Sequence, residues 1–119
     1  MKLKRELLEF LLKAARSAHP KEFAGVLRRK GDTIDEVLLV PGAASERSAL
    51  LRIHMLPIDP SVVGTVHSHP EPSALPSDED LRFFDKFGAV HIIIAYPYTE
   101  DSWAAYNHRG ERVELQVVG

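Results

Sequence analysis

The octapeptide AVHIIIAY, Ala89 to Tyr96, limits the folds open to this chain more than any other stretch. It is apolar on both faces and reads as a central strand, because a strand of this kind needs cover above and below. The surrounding chain supplies that cover in the form of two helices. At 119 residues it is long enough to bury a core without staples and is expected to be one domain over 1–119.

Leu3, Leu7, Leu8, Phe10, Leu11 and Ala14 or Ala15 recur with helical period, which predicts an amphipathic helix from about Lys2 to Ser17 that ends at His19-Pro20. Glu22 to Arg29 reads as a strand, Lys30 to Asp32 as a turn and Thr33 to Val40 as its hairpin partner. Pro41 to Ala49 is loop by composition, Leu50 to Met55 a short strand, and the two prolines of LPIDPS exclude regular structure there. Val62 to Ser68 is a buried strand, Pro70 to Pro76 a stiff glycine-free loop, and Ser77 opens a helix to about Phe87, closed by Gly88. Ser102 to His108 and Glu111 to Val118 form a last hairpin. The expected fold class is α/β: one mixed sheet of about six strands with a helix at each of two places.

Composition removes several function classes. The chain has no cysteine, which excludes disulfides, thiol catalysis and every cysteine-containing zinc site, and fits a reducing cytoplasm. Net charge is -2, so no global basic field argues for nucleic acid. The basic clusters at Lys2-Lys4-Arg5 and Arg28-Arg29-Lys30 are short and read as solvated faces. Glu6 and Glu9 interrupt the leucines at the start, against a signal peptide, and no apolar run is long enough to span a bilayer.

The segment GTVHSHP, Gly64 to Pro70, places two histidines two residues apart at the end of a buried strand. Residues i and i+2 share a face, so His67 and His69 project side by side. The pair fits either two neighbouring core histidines or one edge of a metal site. Asp80 follows eleven residues after His69, and carboxylate is an accepted third ligand of catalytic zinc. Ser77 and Asp80 equally have the form of a helix capping box, and a cap would hold the ligand-bearing helix start still. A zinc hydrolase also needs a proton carrier, and Glu22, at the mouth of the first strand, is the candidate; an exposed strand-start glutamate is the plainer reading of it.

Taken together, Glu22, then His67-Ser68-His69, seven residues, Ser77, two residues and Asp80 resemble the motif of the JAMM (MPN+, JAB-type) zinc metalloproteases. Gly64 before the histidines, Pro70 after them and EFAGVL around the glutamate match as well. The chain is most similar to the small stand-alone archaeal JAMM proteins. The resemblance implies a cytidine-deaminase-like α/β sandwich with flanking helices, and hydrolysis of a peptide or isopeptide bond by a cytoplasmic, deubiquitinase-like enzyme. Carried over by position, His67, His69 and Asp80 would bind one Zn2+, Glu22 would be general base and acid, and Ser77 would donate to the oxyanion. A cytidine deaminase itself is excluded, since that chemistry takes cysteine ligands and a glutamate two residues after its histidine.

LPIDPS is shorter than the corresponding helical region of many relatives, and the long insertions that give eukaryotic members linkage selectivity have no counterpart. The implied substrate is therefore a ubiquitin-like or sulfur-carrier protein with a Gly-Gly C-terminus, with no nucleic acid and no membrane as partner; a homodimer is compatible. A non-catalytic MPN scaffold and a zinc hydrolase of small peptides or amides are the competing readings. An exposed strand edge beside the site is expected to hold the substrate tail. His91 reads as a satisfied core histidine or a support of the site, Trp103 and Tyr106 as packing, and His19, His54 and His108 receive no role.

Overall fold

The computed structural model describes residues 1–40 and 59–119. Among them the chain runs through β1 (Lys2–Lys4), α1 (Arg5–Ala18), β2 (Ala24–Lys30), β3 (Thr33–Leu39), β4 (Val62–His69), α2 (Asp78–Phe84), β5 (Val90–Ala95), β6 (Trp103–Tyr106), β7 (Arg112–Val113) and β8 (Gln116–Val118). The strand expected over Leu50–Met55 and the loop expected over Pro41–Ala49 lie outside the described residues.

The strands form a single mixed sheet in the order β7-β6-β5-β4-β2-β3-β1-β8. Its centre is the parallel pair β4–β5, flanked by the antiparallel partners β2 and β6. β7 and β8 stand at opposite edges although only Glu114 and Leu115 separate them in the chain, so the sheet must curl to bring its two edges together. No described helix is long and apolar enough to cross a membrane.

The triple isoleucine of β5 explains the two-layer build. Ile92 and Ile94 join Leu27, Ile34 and Val66 on the face covered by α1, whose Leu7, Leu8, Leu11, Leu12 and Ala15 are buried. Ile93 points the other way, into a second cluster with Ala24, Val26, Ala104 and the Phe83 and Phe84 rings of α2. All three isoleucines are fully buried. At about 1.5–3 kcal/mol for each buried aliphatic side chain, this strand anchors both layers.

Three expectations need correction. Lys2–Lys4 is a strand, not the first turn of the helix: Leu3 is buried between exposed lysines, and the segment pairs in parallel with both β3 and β8. Leu3 fits a helical period with Leu7 as well as a strand alternation, so the spacing alone could not separate the two. Glu111 to Val118 is not one strand but two, β7 pairing with β6 and β8 with β1. The sheet therefore has eight described strands rather than about six. Lastly, α2 ends at Phe84, with Asp85 as its C-cap, and Gly88 serves the next element instead. Gly88 has φ +90, and a Cβ there would lie 2.5 Å from the Val63 carbonyl oxygen. The same close approach explains Gly64, where a Cβ would lie 1.5 Å from the Val90 oxygen.

Candidate metal centre

β4 ends with His67 and His69 at its carboxyl end, beside the carboxyl end of the parallel strand β5. Sites in open α/β sheets form at such ends. The loop from Pro70 to Pro76 then turns back and brings the start of α2 over the same face. It is fastened twice, by the Tyr106 hydroxyl donating to the Ala74 carbonyl (2.7 Å) and by His69 Nδ1 at 3.1 Å from the Ser73 carbonyl. The Ser73 contact puts the His69 proton on Nδ1 and leaves Nε2 as a lone pair facing inward, the arrangement a metal-ligating imidazole requires.

Asp80 arrives at this lone pair because the first turn of α2 is locked. Ser77 Oγ accepts the Asp80 amide proton (3.1 Å), and Asp80 Oδ2 accepts the Ser77 amide proton (2.9 Å). The capping box and the ligand reading thus share the same residues. Asp80 Oδ1 lies 3.0 Å from His67 Nε2, Oδ2 lies 3.4 Å from His69 Nε2, and the two Nε2 atoms are 3.1 Å apart. All three residues are buried, Asp80 completely.

The chemistry of this donor set fits a cation. The ligand atoms of His67, His69 and Asp80 all fall within 4.8 Å of one another. Asp80 Oδ1 is buried without a hydrogen-bond partner, 3.0 Å from His67 Nε2. An orphaned carboxylate oxygen beside inward-facing imidazole nitrogens is costly unless a positive charge lies between them. Burial by itself would push the Asp80 carboxyl up; the His67 and His69 imidazoles and the Ser77 amide outweigh it and hold the group well below the usual carboxylate range. Two imidazoles and one carboxylate suit zinc, leaving a further position for a non-protein ligand.

Glu22 stands at the same end of the sheet. β2 runs antiparallel to β4 with Ala24 opposite His67, and Ser68 N–H donates to the Phe23 carbonyl (3.0 Å). Glu22 precedes β2 by two residues and adjoins Phe23, which is bound to Ser68 between the two histidines. It is 9% exposed, so the expectation of an exposed strand-start glutamate fails. Asp78, two residues before Asp80, is exposed and lies outside the cluster.

A family model of prokaryotic homologues of the JAB domain matches residues 4–106. The chain belongs to this family. It is 40% identical to a probable metalloprotease of Haloferax volcanii, across 95% of this chain and 76% of that one. A JAB1/MPN domain protein from Archaeoglobus fulgidus has 49% identity and a TM-score of 0.83, with both chains covered completely. A structure described as a JAMM metalloprotease-like zinc site in the proteasome and signalosome has 46% identity and a TM-score of 0.80, covering 100% of this chain and 98% of that one. These relatives and the buried ligand cluster support a metallohydrolase with a JAMM-type zinc site.

For this JAB-domain chain the structure brings His67, His69 and Asp80 into contact, with Ser77 as the cap of the helix and Glu22 just before β2, the strand beside β4. The expected free strand edge is not offered by the described strands that carry the site, since β2, β4 and β5 each have a partner on both sides. His91 is a core histidine: it stacks on Phe84 (centroids 4.2 Å, 9°), shares a 2.7 Å hydrogen bond with Thr65 Oγ1 and lies 3.2 Å from the Gly88 carbonyl. Sequence reading missed Ser68, Ser73 and Tyr98. Ser68 Oγ accepts the Phe23 amide proton (2.9 Å) and so ties the Glu22 segment to the histidine strand. The only hint was the alternation that sends Ser68 to the opposite face from its histidine neighbours.

Proposed function

We propose that this chain is a cytoplasmic zinc isopeptidase or peptidase that hydrolyses the bond after the C-terminal glycine of a ubiquitin-like or sulfur-carrier protein. The observation that carries the reading is the buried His67-His69-Asp80 cluster, with the buried Glu22 just before β2, the strand next to the histidines. His67, His69 and Asp80 would hold a zinc ion, which when bound would supply Lewis acidity to a carbonyl and to water.

The protein groups supply the rest. Glu22 takes a proton from the attacking water and delivers it to the departing amine nitrogen, so that the amide C–N bond breaks as the new C–O bond remains. Ser77, whose oxygen accepts from the Asp80 amide, donates its hydroxyl proton to the developing oxyanion. The ligand residues are 7% exposed or less, which favours a scissile bond flanked by small residues such as a glycine tail. Beside the loop, a cleft of about 330 Å³ whose lining includes Pro72, Leu75, Tyr96 and Trp103 offers apolar surface to a protein substrate. Leu75 and Tyr96 are 72% and 46% exposed.

The test is a fusion of a small Gly-Gly-ending ubiquitin-like protein to a reporter peptide, incubated with zinc-loaded protein. Cleavage directly after the glycine, lost in Glu22→Gln with zinc retained, is the expected result. An intact fusion alongside rapid hydrolysis of unrelated short peptides would assign the site to small amides instead.

A further inference from the structure

The turn after β5 joins two parts of the site that the sheet alone does not connect. Tyr96 N–H donates to the carbonyls of His69 (3.1 Å) and Glu71 (3.2 Å), so one end of the turn holds the backbone of a ligand. Tyr98, at the other end, is 2% exposed and has φ +63. A bulky side chain seldom adopts that backbone conformation unless its surroundings impose it.

The surroundings here are the C-terminal end of α1. Arg16 donates to the Tyr98 carbonyl (2.8 Å), and the Tyr98 hydroxyl shares a 2.7 Å hydrogen bond with His19 Nδ1. His19 lies only three residues before Glu22. On the far side of Glu22, Phe23 is bound to Ser68 through both its amide and its carbonyl. The segment carrying Glu22 is therefore fixed at both ends, at His19 to the turn and at Phe23 to the histidine strand.

From this geometry we infer that Tyr98, with His19, is a positioning residue that sets where the Glu22 carboxylate stands relative to the two histidines. The inference rests on Glu22 being the proton carrier proposed above. Tyr98 acts through the backbone of 19–23 and does not touch substrate. Burial, followed by the negative charges of Glu71 and Glu22, holds the phenol above its ordinary range, so it stays protonated and keeps its hydrogen bond at working pH.

The test pairs kinetics with amide hydrogen exchange. Tyr98→Phe keeps the ring and removes only the hydroxyl. It should speed exchange at Lys21 to Phe23 about tenfold and lower kcat about tenfold, with KM within about twofold and zinc content unchanged. His19→Ala should do the same, whereas His19→Asn, which places an amide near the Nδ1 position, should restore both. Wild-type exchange at those amides in Tyr98→Phe would overturn the inference, as would faster exchange with unchanged kcat. If the wild-type chain cleaves no Gly-Gly fusion, the functional reading fails, while the exchange measurement still decides whether Tyr98 pins the segment.

Discussion

Lowering the pH from 7 to 4.5 will weaken this fold in a way that removing one imidazole largely abolishes. His91 is fully buried, packed flat on Phe84 and bonded to Thr65 and Gly88. Burial lowers its pKa from 6.5 to about 4, against smaller raising effects of the Gly88 and Phe84 carbonyls. In the unfolded chain the same ring takes up its proton near 6.5. Between the two values the unfolded state binds more protons than the native state, so stability is complete above pH 6.5 and is lost as the pH falls towards 4. At about 1.4 kcal/mol per pH unit, the full loss is about 3 kcal/mol, of which about 2 kcal/mol has gone by pH 4.5.

The other titrating groups are common to wild type and His91→Gln, so the difference between the two chains reports this ring together with its weaker coupling to His67 and Asp80. Gln keeps a donor and an acceptor but cannot take a proton. Urea unfolding of both proteins at pH 7 and pH 4.5 should show the wild type losing about 2 kcal/mol more than the variant over that interval. Two stability curves that remain parallel within about 0.5 kcal/mol would refute the argument that His91 is held neutral by burial.

Other outcomes follow from single contacts. Ser77→Ala removes the acceptor for the Asp80 amide and should lower stability by about 1 kcal/mol in thermal unfolding; if Ser77 also serves the oxyanion, kcat falls by about 10²–10³ while zinc is retained. Gly64→Ala would drive a Cβ into the Val90 carbonyl and should destabilise by at least about 3 kcal/mol, read as loss of soluble folded protein or a large drop in Tm. Phe84→Ala empties the contact under His91 and should cost about 3–5 kcal/mol in urea unfolding.

The legible parts of this chain are those where local pattern and tertiary environment agree. AVHIIIAY reads as a doubly covered strand, and Val90–Ala95 within it is one, while Ala89 and Tyr96 lie exposed at its ends. The capping box at Ser77 and Asp80 and the histidine alternation in β4 follow from local rules and also build the site. What escaped notice depends on partners distant in sequence. Leu3 joins a strand because β3 and β8 lie on either side of it, and the leucine spacing contains no trace of those neighbours. β8 leaves β7 for the opposite edge because the sheet curls, a property of all the strands together. The burial of Glu22 is not written in the residues beside it, although its place before the strand marked it as the candidate proton carrier. Tyr98 lies 79 residues from His19, its hydrogen-bond partner, and nothing around either residue announces the other.

The most direct test of the metal centre is the metal content of protein purified without added metal, compared with His67→Ala and Asp80→Ala. The account predicts about one zinc per wild-type chain and almost none in either variant. Wild-type protein that folds normally, contains no zinc and takes none up on addition would contradict it, and would return His67 and His69 to the structural core.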